Sequence, residues 1–274
     1  MIAAEWFDAI DKNKPKKVVF CVPILRRPYP QFVESLEAEI PLIRAAGWDE
    51  ELVQEIDNPY ISGARAKMLR KALDHDATVV VFLDYDLSWP PGELLKLIET
   101  EGDLIAGTYR CKVDEEQYMG TIFNGPDGLP IVREDGCLKA GVAPAGFLKI
   151  TPMAVELLMA AYPELCYGPR HRQSIDLFNH GAHDRLYWGE DYALCRRWRE
   201  KCGEVWIKPD LSLTHWQGDK PHPGNFHKFL LRQPGGSEDP NANTAQERSN
   251  PGADAAGRAE LDHRDPQGQR VAAD

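Results

Sequence analysis

Residues Thr78–Leu83 read Thr-Val-Val-Val-Phe-Leu, and Asp84-Tyr85-Asp86 follow at once. Six uncharged residues rich in β-branched side chains predict a strand buried on both faces. Such a strand needs cover above and below, and the neighbouring segments can supply it. Lys17–Ile24 predicts another buried strand, closed by Arg26-Arg27-Pro28. Gln31–Ala46 carries Phe32, Leu36, Ile40 and Ile43 at roughly helical spacing, with Pro41 expected to kink or split the helix. Glu51–Asp57 reads as a strand, Ile61–Leu73 as a helix, Gly92–Thr100 as a short helix opened by Pro90-Pro91, and Asp103–Tyr109 as a strand. This alternation predicts an α/β fold with an open, mostly parallel sheet and helices on both faces.

The second half is less regular. Thr121–Phe123, Leu129–Val132 and Phe147–Ile150 are expected as short β pieces. Thr151-Pro152 supplies an N-cap and a first-turn proline for a helix that stops at Pro163. Glu190–Cys202 predicts the last clear helix, closed by Gly203, and Val205–Ile207 and Leu211–Thr214 predict closing strands.

From Gln233 to Asp274 there is no aromatic residue, and Leu261 and Val271 are the only large aliphatics. That composition buries too little apolar surface to offset the entropy of ordering. The division expected is one domain over residues 1–232 and a disordered tail over 233–274.

The chain of 274 residues carries 32 Lys+Arg against 43 Asp+Glu, a net charge of −11. This balance argues against bulk binding to nucleic acid or anionic lipid, both of which reward a basic surface. It leaves room for a small anionic ligand if a local cation neutralises it. No apolar run approaches the roughly 18 residues a membrane span needs. The first eleven residues hold Glu5, Asp8 and Asp11 and no basic residue, unlike a signal peptide. The expectation is a cytoplasmic protein whose six cysteines, none in a C-x-x-C pair, stay reduced.

Asp84 and Asp86, at i and i+2 beyond a strand, can project to one side of its carboxyl end, the edge where open α/β sheets bind ligands. Two close carboxylates repel each other, and a divalent cation relieves this. A polar turn that merely ends a hydrophobic strand would read the same way. On the helix from Glu190, residues Asp191, Cys195, Trp198 and Cys202 share a face. The lower three are apolar, so Asp191 is expected to point inward at the top of a buried stripe. An acidic first-turn residue complementing the helix dipole is the plainer alternative, and it fits Glu190 better than Asp191.

Two families carry such an acidic pair. Asp84-Tyr85-Asp86-Leu87-Ser88 resembles the D-x-D-x-T/S motif of haloacid-dehalogenase-type phosphatases, which would make Asp84 the nucleophile and Asp86 the acid/base. That family places its motif on the first strand and needs a later G-D-x-x-x-D site, for which this chain has no convincing match. The longer resemblance is to GT-A glycosyltransferases of the family-2-like kind. Trp188-Gly189-Glu190-Asp191, the helix Tyr-Ala-Leu-Cys-Arg-Arg-Trp after it, and Val205-Trp206-Ile207 through His215 resemble that family's E-D…C-R-R…V-W-I…H pattern. Ala145-Gly146-Phe147-Leu148-Lys149-Ile150 resembles its acceptor-side strand, and Asp57-Asn58 with Ala64-Arg65 its nucleotide-binding stretch. Where the family often has Ala-Arg-Asn, this chain has Ala64-Arg65-Ala66, with Lys67 as a candidate substitute. The resemblance spans roughly residues 16–218, in the expected order.

The resemblance implies a GT-A fold, a Rossmann-like open mixed sheet flanked by helices. It implies a transferase moving sugar from a nucleoside-diphosphate sugar of UDP or GDP type to an acceptor hydroxyl, with Mn2+ or Mg2+ as cofactor. Asp86 would bind the metal directly, Asp84 would contact it through water or hold the ribose, and His215 would complete the set. Pro23, Asp57, Arg65, Asp84 and Tyr85 would bind the donor, with Asp57 facing the base and Arg65 the phosphates. Gly146, Trp188 and Glu190 would hold the acceptor, and Asp191 would be the general base of an inverting enzyme. Arg26 and Arg27, the group His180, His183 and Asp184, and a lid carrying Lys220, His222 and His227 are further candidates. Solvated loops explain all of these equally well. A GT-A-like protein that binds nucleotide without turnover is the non-enzymatic alternative.

Overall fold

The structure is a computed structural model and describes residues 16–233. The expected tail, apart from Gln233, and the acidic N-terminus lie outside the described residues. The chain folds as an α/β domain around an eight-stranded mixed sheet flanked by helices. In chain order the elements are β1 (Lys17–Ile24), α1 (Pro30–Ala45), β2 (Asp49–Ile56), α2 (Ile61–Asp74), β3 (Val79–Leu83), β4 (Leu87–Ser88), α3 (Glu93–Glu99) and β5 (Leu104–Gly107). They continue with β6 (Thr121–Ile122), β7 (Leu138–Val142), β8 (Phe147–Ile150), α4 (Pro152–Ala161), β9 (Cys166–Tyr167), β10 (Ser174–Ile175), β11 (Gly181–His183) and β12 (Leu186–Trp188). The last are α5 (Glu190–Lys201), β13 (Val205–Lys208), β14 (Ser212–Gln217), β15 (Lys220–Asn225) and α6 (Phe226–Leu231).

The sheet order is β2-β1-β3-β8-β5-β13-β7-β6. β1 pairs in parallel with β2 and β3, and β13 with β5, whereas β8 runs antiparallel between β3 and β5. The expectation of a mostly parallel sheet is corrected here. The insertion of β8 makes it mixed, and a hairpin-like second half adds the antiparallel β7 and β6. The strands β1, β2, β3 and β5 therefore end at one edge, and β8 begins there. Helix α5 leads into β13 from the far edge, so its first turn lies at that same edge.

Burial explains why the strands read as they do. In β1, Val18, Phe20 and Val22 pack with α1 and α3 through Phe32, Leu36, Leu94 and Leu97. Val19 and Cys21 face the other layer, with Met68 and Leu69 of α2, Val155 and Leu158 of α4 and Trp198 of α5. An alternating strand with both faces apolar is the signature of a sheet between two helical layers. Each fully buried large side chain contributes about 1.5–3 kcal/mol of transfer free energy.

Several expectations change in detail. Pro41 does not split α1, which is continuous; Pro41 is exposed, so the carbonyl it leaves without a partner can turn to water. Leu129–Val132 forms isolated bridges rather than a strand, and Leu138–Val142 takes the sheet position instead. The segment expected as a lid, with Lys220 and His222, is β15, whose Pro221 and Pro223 are tolerated on the outermost strand of a three-stranded sheet, β15-β14-β4. All six cysteines are free. Among the described residues, no helix is long and apolar enough to cross a membrane.

Candidate functional site

The site is built where β3 stops. The Asp84 N–H donates to the Gly146 carbonyl at 2.8 Å, extending the β3–β8 ladder by one bond. A Cβ on Gly146 would collide with the Asp84 carboxylate and the Tyr109 hydroxyl, so glycine here makes room for both. The expected acceptor residue Gly146 is thus the floor under Asp84. The chain then turns, with Leu87 N–H returning to the Asp84 carbonyl at 3.1 Å. This turn, rather than a continuing strand, separates the two carboxylates and gives each its own partners.

Asp84 is held by Arg65, which the N-terminal half of α2 delivers to the same edge. Arg65 donates through Nη2 to Asp84 Oδ1 at 2.9 Å and through Nη1 to the Ala145 carbonyl at 3.0 Å. Its Nε lies 3.8 Å from Glu190 Oε1. The guanidinium sits over the rings of Phe82 and Phe178, at 5.6 and 5.7 Å, with only 3% of the side chain exposed. Burial would lower its pKa, but Asp84, Glu190 and further anions more than offset this and raise it. Arg65 is expected from sequence on the donor phosphates. In the structure it is a buried tie between the D-x-D and E-D segments, because a cation this deep must be paired.

Asp86 is served by different elements. β14 pairs with β4 so that His215 lies opposite Leu87, and the Trp216 N–H donates to the Asp86 carbonyl at 2.8 Å. This places His215 Nε2 3.6 Å from Asp86 Oδ2, while Lys112 forms an ion pair with the same oxygen. Burial would raise the Asp86 pKa; hydrogen bonding from His215 and Lys112 outweighs it and holds the group below the usual carboxylate value. His215 Nδ1 lies 2.8 Å from the Arg110 carbonyl. A carbonyl only accepts, so Nδ1 carries a hydrogen and donates it there, leaving Nε2 as the ring atom that faces Asp86.

Asp86 Oδ2 and His215 Nε2 thus face one another, an oxygen and a nitrogen that could each donate to a divalent cation. The donor set stops at two: among the described residues no three His, Cys, Asp or Glu side chains form a metal-holding group. The expected trio of Asp84, Asp86 and His215 therefore divides, with Asp84 committed to Arg65. A cation here has two protein donors and needs ligand or solvent oxygens for the rest.

Asp191, in the first turn of α5, has its pKa pushed up to about 6, by burial first and by the neighbouring Glu190 next. The Tyr192 N–H and Arg65 pull the other way. Below it Cys195 and Trp198 are buried, as the helical stripe requires. Trp188 ends β12, its indole donating to the His183 carbonyl at 3.2 Å and its ring lying 5.5 Å from the Arg196 guanidinium.

The remaining donor candidates reach the same edge from β1 and β2. Pro23 is buried near the end of β1, and Asp57, exposed and left-handed at φ 57°, follows β2 and donates its N–H to the Ile24 carbonyl. Tyr85 lies under Tyr29, ring centroids 6.3 Å apart, and the Tyr29 N–H donates to the Tyr85 carbonyl.

Other candidates take different partners. Lys67 pairs with Glu55 on β2, and Lys220 with Asp114. His222 is buried opposite His215 in the β14–β15 ladder, and His183 faces Asp184 and Glu200 in an exposed hairpin. Lys112 and Tyr109 were not foreseen. Both follow β5, whose carboxyl end shares the ligand-binding edge, and that rule applied to every strand would have found them.

No family model matches the sequence, and no curated protein matches it. Solved structures do. One is A197 from STIV, 14% identical with a TM-score of 0.44, covering 74% of this chain and 86% of that one. Another is a glycosyltransferase involved in the glycosylation of the major capsid of PBCV-1, 9% identical with a TM-score of 0.31, covering 55% of this chain and 68% of that one.

Proposed function

We propose that the chain is a glycosyltransferase that moves a sugar from a nucleoside-diphosphate sugar to an acceptor hydroxyl with inversion. The observation that carries this reading is the convergence, through Arg65, of Asp84 with the E-D turn that bears Asp191. Segments more than a hundred residues apart meet at one sheet edge, leaving one half-buried carboxyl whose pKa lies near neutrality.

Each residue then has a task. Pro23, Asp57 and Tyr85 line the donor end, where β1, β2 and β3 stop. Asp86 and His215 would hold a divalent cation, which when bound would supply positive charge against that building on the leaving diphosphate. Asp84, fixed by Arg65 and Gly146, bonds the ribose. Glu190 and Trp188 border the acceptor. Asp191 accepts the proton of the acceptor hydroxyl as that oxygen bonds to the anomeric carbon. The anomeric carbon's bond to phosphate breaks, the electron pair leaves with the diphosphate, and Asp191 returns its proton to water. A dehalogenase-type phosphatase would need Asp84 as a free nucleophile, and its partners Arg65 and Tyr109 disfavour that.

Thermal unfolding with UDP, GDP, dTDP, CDP and ADP, each with and without Mn2+, tests the reading. Ligand at 100 times its dissociation constant adds about 2.7 kcal/mol to stability, a readable shift in Tm. One diphosphate should shift the transition in a metal-dependent way, and Asp86→Ala should remove the shift. The absence of a shift with all five would overturn the proposal. A shift without any sugar transfer would favour a nucleotide-binding protein lacking turnover.

A further inference from the structure

Lys112 is a cation at this edge that is free to leave its partner. Its partner Asp86 also faces His215 Nε2 at 3.6 Å. A carboxylate as buried as Asp86 needs a positive partner, and the Lys112 ammonium supplies it.

The other carboxylate of the pair has a cation of a different kind. Arg65 is buried over two aromatic rings, spends two of its nitrogens on Asp84 and Ala145, and has little room to move. Lys112 has 31% of its side chain exposed and ends in a flexible four-carbon stem. Its backbone, however, is held. Arg110 donates to the carbonyls of Val113, Asp114 and Glu115, and the Cys111 N–H donates to the Gln117 carbonyl at 2.8 Å. The loop base is braced while the ammonium is free to swing.

We propose that Lys112 is an exchangeable counter-ion: it neutralises Asp86 in the ligand-free protein and passes to the donor diphosphate when a divalent cation takes its place between Asp86 and His215. This rests on the glycosyltransferase reading and adds a donor-binding residue to it. The charges support the exchange. Asp86 is paired with Lys112 in a group that also holds Asp84, Glu190 and Asp191, so the loss of Lys112 calls for a replacement cation. A divalent ion beside Asp86 repels the ammonium, and the diphosphate arriving with it is the new anion within reach.

The exchange makes two affinities move in opposite directions, which a merely structural lysine would not do. In the full-length chain, Lys112→Gln should bind Mn2+ alone about three- to tenfold more tightly, because its competitor is gone. Free-Mn2+ electron paramagnetic resonance titration measures this, with Asp86→Asn identifying the site by loss of binding. In saturating Mn2+, the same variant should bind UDP or GDP about tenfold more weakly by calorimetry. Lys112→Arg, which keeps the charge, should restore both. Unchanged Mn2+ affinity in Lys112→Gln, or both affinities moving together, would overturn the proposal. If the wild-type chain bound neither UDP nor GDP, the donor reading would fall and take the diphosphate half with it. The Mn2+ titration would still decide whether lysine and metal compete.

Discussion

Asp191 holds its proton up to about pH 6, whereas an ordinary aspartate releases it near 3.8. Between those values the folded chain binds more protons than the unfolded one, so this group's contribution to stability falls as pH rises and is lost above about 6. At pH 7.5 the ionised carboxylate is therefore a stability cost accepted for its chemistry. Asp191→Asn should lower kcat by roughly 100- to 10,000-fold. In the same variant the unfolding free energy at pH 7.5 should be unchanged or higher by on the order of 1 kcal/mol, with the gain vanishing near pH 4. Wild-type kcat/KM should rise as pH increases through about 6, and a flat profile from 5 to 8 would remove Asp191 as base. Gly146→Ala tests the neighbouring geometry. The added methyl displaces the Asp84 carboxylate, so nucleoside-diphosphate affinity should drop at least about tenfold, read by calorimetry.

At the scale of elements, α3 shows how a short helix is held where its intrinsic stability is too small. It has seven residues and no side-chain cap of its own. Glu39, reaching from α1 and fully buried, accepts from the Gly92 N–H at 2.9 Å and the Leu95 N–H at 3.0 Å. Burial raises the Glu39 pKa, and those backbone bonds partly offset this. At the far end Lys149 of β8 donates to the carbonyls of Ile98 and Thr100, its own pKa lowered by burial to about 8. Buried charges of the right sign thus sit at both ends of the helix dipole. Glu39→Ala leaves two helix-start N–H groups without partners and should cost about 2 kcal/mol, seen as a Tm lower by roughly 4–8 °C. An unchanged Tm would mean that water replaces the carboxylate.

Across the whole molecule, the mixed sheet is what assembles the site. β8, antiparallel between β3 and β5, brings Gly146 beneath Asp84 and places Lys149 under α3. The small sheet β15-β14-β4 closes over the D-x-D turn and delivers His215. Among the described residues, the buried apolar groups form two clusters on the two faces of the sheet. The composition of the remaining C-terminal residues predicts that truncation after residue 233 leaves Tm and nucleotide binding unchanged. Scanning calorimetry of the shortened chain checks this, and a lower Tm would mean that the segment packs on the domain.

The local pattern alone determined the strands β1 and β3, the helices α2, α4 and α5, and the acidic pairs at their ends. Each of these is written within a window of ten or so residues: apolar runs, Thr151-Pro152 as a cap, Asp191 above Cys195 and Trp198. Leu138–Val142 escaped notice because Lys139 and Gly141 give it little strand character, and pairing with β13 and β6 makes it a strand. The partners of the carboxylates were equally beyond local reach. Arg65 meets Asp84 across 19 residues and the Ala145 carbonyl across 80, and Lys112 meets Asp86 across 26. A side chain's periodicity says which face it occupies, but the ion that neutralises it is chosen by which other elements end at the same edge. That choice is a property of strand order and direction, and only the tertiary structure decided it.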